Sequence, residues 1–168
     1  MSAIYKRIEL VANVAIIAVA IMLCAVLVQK FLLARNTRPP ASTSAPTIGN
    51  KVTIDGIDWA QNRKTVVLAL QKGCRFCTES ASFYQRLIQA ATSKGVKVVA
   101  VLPQPAAEGR DYLNSLAVPI ADIKQSPLHS LDVSATPTLI LVDDKGQVTA
   151  AWVGKLPTDK ESEVLAKL

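Results

Sequence analysis

The chain has 168 residues, half of them apolar, and a net charge of +6, which is room for one domain and an appendage. Half of the positive excess sits near the start, where Lys6, Arg7, Lys30 and Arg35 face Glu9 alone. The remainder forms no basic stripe or aromatic-rich face, so no nucleic-acid partner is expected.

Leu10 to Val28 is uncharged, with Asn13 its only polar interruption. As a helix it would span about 28 Å, close to the hydrocarbon thickness of a bilayer. A soluble helix that is apolar all round needs a large protein about it. A cleaved signal peptide would have a shorter apolar region with Ala-x-Ala after it, whereas Ala18-Val19-Ala20 lies mid-segment. Cys24, with bulky Leu23 before it and apolar residues after it, reads as filler. The expectation is therefore a short flank over 1–9 and a single uncleaved transmembrane anchor over 10–33. Lys6 and Arg7 on one side and Lys30, Arg35 and Arg38 on the other leave its orientation undecided by charge. A linker rich in proline, serine and threonine follows over 34–50, and a domain over 51–168.

Lys51 to Trp59 alternates about the turn signal Asp55-Gly56 and predicts a small hairpin. Thr65 to Leu70 is a continuous apolar run, the pattern of a fully buried strand. After it, Ser80, Phe83, Tyr84, Leu87, Ile88 and Ala91 mark one face of a helix that Gly95 stops. Between strand and helix stand Cys74 and Cys77. A thiol at a helix start meets unpaired N–H groups and the positive end of the macrodipole, both of which favour thiolate. Cys77 lies about one turn on, within disulfide reach, so the spacing suits a reversible dithiol. Zinc sites share this spacing but want two more ligands, and the chain offers only Cys24 and His129. A static disulfide is the other reading, although a bridge closing so short a loop stabilises little. Neither a metal nor a separate cofactor is expected.

Val96 to Leu102 is a second buried run, completing a strand–helix–strand unit with a parallel pair. Pro103 to Leu131 has poor periodicity. It allows a helix about Arg110 to Leu116 and a short one from Ser126-Pro127, with His129 a surface residue. Pro137 then immediately precedes a strong strand to Val142, followed by the turn Asp143 to Gly146 and a strand from Gln147 to Val153. Thr158 to Glu161 has a capping-box pattern and opens a last helix, whose Val164, Leu165 and Leu168 would cover the sheet.

A Cys74-Arg75-Phe76-Cys77 motif paired with Ala135-Thr136-Pro137-Thr138 before a hairpin makes Lys51 to Leu168 resemble the thioredoxin fold. More narrowly, the chain resembles the membrane-tethered TlpA/ResA-like thiol–disulfide oxidoreductases. The resemblance implies an α/β domain with a central sheet flanked by helices. It also implies a cis Thr136-Pro137 bond facing the cysteines, with the Thr136 backbone positioned to pair with an incoming peptide. Cys74 would be the nucleophile and Cys77 the buried resolver. The partners implied are thiol- or disulfide-containing clients and a redox partner, met on the extracytoplasmic side of the inner membrane.

Arg75 and Phe76 fill the dipeptide that tunes the pair. The charge of Arg75 would favour the Cys74 thiolate, hence the reduced form, raising the potential. Phe76 either faces a partner or begins the helix core, and the core reading is favoured because Ser80 and Phe83 continue its face. The chain departs from thioredoxins at Gly73, where they carry tryptophan, and at Leu68, where they carry a buried acid. Gln71 stands where a peroxiredoxin needs threonine. The cysteine spacing is one short of Sco-like copper chaperones, so copper delivery stays a minor alternative, as does a tethered binding module with a static disulfide.

Overall fold

The computed structural model describes residues 16–23 and 45–168. The chain divides into two units, Met1–Ser42 and Thr43–Leu168. Of the first, residues 16–23 are helical and expose Ile16, Ile17, Ile21 and Met22. No helix among the described residues is long and apolar enough to cross a membrane. Most of the anchor expected over 10–33, Cys24 included, lies outside the described residues.

The second unit is built on a five-stranded sheet in the order β3-β2-β1-β4-β5. Its strands are β1 (Lys64–Ala69), β2 (Lys97–Leu102), β3 (Asp122–Gln125), β4 (Thr138–Asp143) and β5 (Val148–Val153). β1 runs parallel to β2, and β2 to β3, while β4 is antiparallel to both β1 and β5. The central position of β1 explains its unbroken apolar run: Thr65 to Leu70 is buried on both faces. Val67 sits between Val99 and Ile140 in the register.

Strand alternation divides this run between two cores. Val66, Leu68 and Leu70 face the helices, in one cluster with Cys77, Phe83, Tyr84, Leu87, Leu113 and Val164. Val67 and Ala69 face the other way, against Val52, Ile54, Leu131 and Val133. The helices are α1 (Arg75–Glu79), α2 (Ala81–Ser93), α3 (Ala106–Ser115) and α4 (Thr158–Lys167). Each buried leucine or phenylalanine in these clusters is worth about 1.5–3 kcal/mol against exposure.

Four local expectations change. The helix expected after Ser80 forms as one piece, but the cysteines are not at its start: they sit on a separate short helix that ends at Ser80. At the break, Ser80 donates its hydroxyl and its N–H to the Phe76 carbonyl, at 2.8 and 3.2 Å. The hairpin expected from Lys51 to Trp59 does not form. Val52 and Ile54 do point inward, but their strand-like backbone turns to another segment: Val52 N–H donates to Gly146 O at 2.8 Å and Val148 N–H to Asn50 O at 2.9 Å. The last linker residues join this edge, with Pro46 buried and Gly49 N–H on Val148 O at 2.8 Å. The capping box is not made either. Pro157 caps α4, so Thr158 is its first residue and has no capping role, while Glu161 pairs with Arg86 instead. The helix about Arg110 starts earlier, at Ala106, and the short strand β3 comes after it.

Candidate active site

β1 delivers the chain to one end of the sheet, where Leu70 N–H still bonds Val101 O at 2.9 Å. A turn then closes with Cys74 N–H on Gln71 O at 3.1 Å, and Gly73 takes φ +81° within it. That left-handed backbone is open to glycine at no steric cost and disfavours the tryptophan of thioredoxins. Cys74 emerges as the N-cap of α1: its Sγ accepts the Cys77 N–H at 3.1 Å and its carbonyl accepts the Thr78 N–H at 3.2 Å. A cap sulfur is thus placed where the orphan N–H groups of the helix can reach it.

Cys74 and Cys77 are joined in a disulfide, with 5.2 Å between their Cα atoms. Cys77, on the inward side of α1, is completely buried in the cluster that contains Leu68, whereas Cys74 is partly exposed. The Thr136–Pro137 bond is cis. Thr136 O lies 3.4 Å from Cys74 Sγ, so the two motifs read from sequence meet although 62 residues separate them. The Pro137 carbonyl is taken by Gly154 N–H at 2.7 Å, and Thr138 donates its hydroxyl to Ala135 O at 2.7 Å. These bonds hold the segment from both sides and leave Thr136, half-buried, facing the sulfur.

Phe76 is not a core residue. It is 53 % exposed. The inward side of α1 belongs to Cys77, and the break at Ser80 turns α2 so that Phe83 no longer extends the face of Phe76. Arg75 does not stand as a lone cation beside Cys74. Its Nε bonds Glu79 Oε1 at 2.7 Å, and Lys155 Nζ bonds Glu79 Oε2 at 2.9 Å. Lys155 first and Arg75 second hold the Glu79 carboxyl below the usual carboxylate range. His129 is exposed on the short 3-10 helix Leu128–Leu131 expected after Ser126-Pro127, where it lines a shallow cavity with Asp132 and Val133. The Tyr84 hydroxyl is buried beside Ser80, and burial pushes its pKa well up against the smaller opposing effect of the Ser80 hydroxyl.

Sequence reasoning passed over Glu79 and Lys155. The i, i+4 spacing of Arg75 and Glu79 was a usable signal, but nothing local links Glu79 to a lysine 76 residues away.

A parallel–antiparallel sheet with a helix-capping cysteine pair opposite a cis proline defines a thioredoxin-like thiol–disulfide oxidoreductase. The chain belongs to the redoxin family, whose profile matches residues 34–168. Among solved structures it is similar to a Chlorobium tepidum protein assigned as the thiol:disulfide interchange protein DsbE. The two share 21% identity and a TM-score of 0.58, over 72% of this chain and 96% of that one. It is also similar to the thioredoxin domain of a thiol-disulfide oxidoreductase from Bacteroides vulgatus, at 16% identity and TM-score 0.55, over 75% and 98% of the two chains. A thiol:disulfide interchange protein from a Bacteroides species aligns at 17% identity and TM-score 0.54, over 76% and 90%. At these identities the structures speak for the fold. No curated protein matches the sequence.

Proposed function

We infer that this protein exchanges electrons with client proteins through Cys74 and Cys77, from a position tethered to the membrane on its extracytoplasmic side. The observation that carries the exchange is the asymmetry of the pair: a partly exposed Cys74 capping α1 against Thr136 O, and a Cys77 with no exposed surface. In the reducing direction the Cys74 thiolate attacks a client disulfide, forming a mixed disulfide and releasing one client thiolate, which takes up a proton. Cys77 then loses its proton and attacks Cys74 Sγ, the Cys74–Cys77 disulfide forms, and the second client thiolate leaves. Two electrons pass to the client; in the oxidising direction each step reverses. Thr136 and Pro137 would hold the client strand beside the sulfur. Phe76, exposed next to Cys74, would offer it an apolar contact.

Tethering is supported by the uncharged run from Leu10 to Val28 and by the linker after it. Equilibration of the full chain in glutathione buffers, read by mass after alkylation, tests the exchange. A potential below about −300 mV would mark a static structural disulfide and overturn the reading. Membrane extraction followed by mass spectrometry tests the anchor: the intact N-terminal segment should be recovered, and protease added to spheroplasts should reach the domain.

A further inference from the structure

The helix that carries the cysteines has its charges in the unfavourable order. Acids stabilise helix starts and bases helix ends, and an i, i+4 pair works best with the acid first. In α1 the base, Arg75, comes first and the acid, Glu79, comes last. Helix stability therefore does not account for the pair. Glu79 also uses both of its oxygens, one for Arg75 Nε at 2.7 Å and one for Lys155 Nζ at 2.9 Å. It is the most sheltered of the three, 32 % exposed against 85 % for Arg75 and 47 % for Lys155.

Arg75 is the neighbour of Cys74 in the chain, and its guanidinium is bonded to an acid about one helical turn further on. Lys155 follows Gly154, whose N–H bonds the Pro137 carbonyl at 2.7 Å, so the second cation stands next to a strand end tied to the cis-proline segment. A cation released from either pair would be free to approach the sulfur, and a nearby cation stabilises thiolate over thiol.

We propose that Glu79 is a positioning residue that limits the thiolate fraction of Cys74 by clamping Arg75 and Lys155 into one ion-pair cluster. The pair is thereby kept more reducing than two unclamped cations would leave it, since a stabilised thiolate favours the reduced form and raises the potential. The proposal rests on the redox reading above and deepens it.

The test is the pH profile of Cys74 alkylation in the full chain carrying Cys77→Ser, followed by peptide mass so that Cys24 is counted separately. Adding Glu79→Gln should move the profile to lower pH and raise the rate on its acid limb about threefold, the scale of one near-surface charge. Salt should shrink the gain. Adding Arg75→Gln and Lys155→Gln as well should abolish it. An unmoved profile overturns the proposal. So does an equal gain in the variant lacking both cations, which would mean that Glu79 acts by its own charge alone. The readout needs no client, so a protein that fails to exchange with clients would sink the functional reading and leave this measurement decisive for Glu79. Intact client exchange with an unmoved profile would sink the clamp alone.

Discussion

Gly73→Ala separates the fold's need for the turn before Cys74 from the chemistry's need for it. A Cβ at this position meets no atom within 4 Å, so crowding contributes nothing. The backbone does contribute, because φ is +81°. A left-handed L residue costs about 1–2 kcal/mol, and the smaller freedom of alanine in the unfolded chain offsets about 0.4–1 kcal/mol of that. The net loss should be about 1 kcal/mol, or about 3–6 °C in Tm for a domain of this size. The site should suffer more. Relaxing the turn breaks or lengthens the 3.1 Å bond from Cys74 N–H to Gln71 O and shifts Sγ against both Cys77 N and Thr136 O. Misplacing a reacting atom by about 1 Å can cost about 100-fold in rate, so a smaller shift should still slow exchange measurably. Gly95→Ala supplies the control: its φ is +67°, its added Cβ also meets nothing, and it lies at the far end of α2. Urea titration should show similar losses for the two variants, while stopped-flow reduction by dithiothreitol slows only in Gly73→Ala. Equal exchange rates in the two, or a Gly73→Ala protein as stable as the parent, would refute the reasoning.

Cys77→Ser should accumulate mixed disulfides with clients on non-reducing gels, because the resolving thiol is lost, and Cys74→Ser should accumulate none. Gly146→Ala should cost about 2–4 kcal/mol in urea titration, from a left-handed backbone plus overpacking. There φ is +79° and the new Cβ would lie 2.9 Å from the Trp59 ring, so Trp59→Leu should recover part of the loss. Burial raises the folded-state pKa of Tyr84 above its ordinary value of 10.0. Its share of stability is therefore whole below that pH and is lost as pH rises above it, because the unfolded chain ionises first. Tyr84→Phe should flatten the alkaline limb of a stability–pH curve, and an unchanged limb would contradict this.

The two cysteines, the strand before them, the helical face after them and the proline ahead of the β4–β5 hairpin were all legible in the sequence. Each is a local pattern: an apolar run the length of a strand, a 3.6-residue period, a turn signal. β1 was the easiest element to read because it lies in the middle of the sheet and is apolar on both faces. β3 stayed hidden because it is a short edge strand in which Asp122 and Lys124 interrupt the apolar pattern and pair with each other at 3.4 Å. The segment about Val52 and Ile54 has the alternation of a strand, but alternation states which side chains turn inward and not which backbone they pair with; Gly146 and Val148 decided that. Phe76 read as core for the same reason, because its spacing to Ser80 and Phe83 holds only if one helix runs through them. The break at Ser80 rotates α2 relative to α1 and leaves the ring at the surface. The long-range surroundings of Cys74 were decided by tertiary structure: the family resemblance implied Thr136, and no sequence pattern implied Lys155. Thr136 and Lys155 come from distant parts of the chain, and only the folded sheet carries one to the sulfur and the other to Glu79.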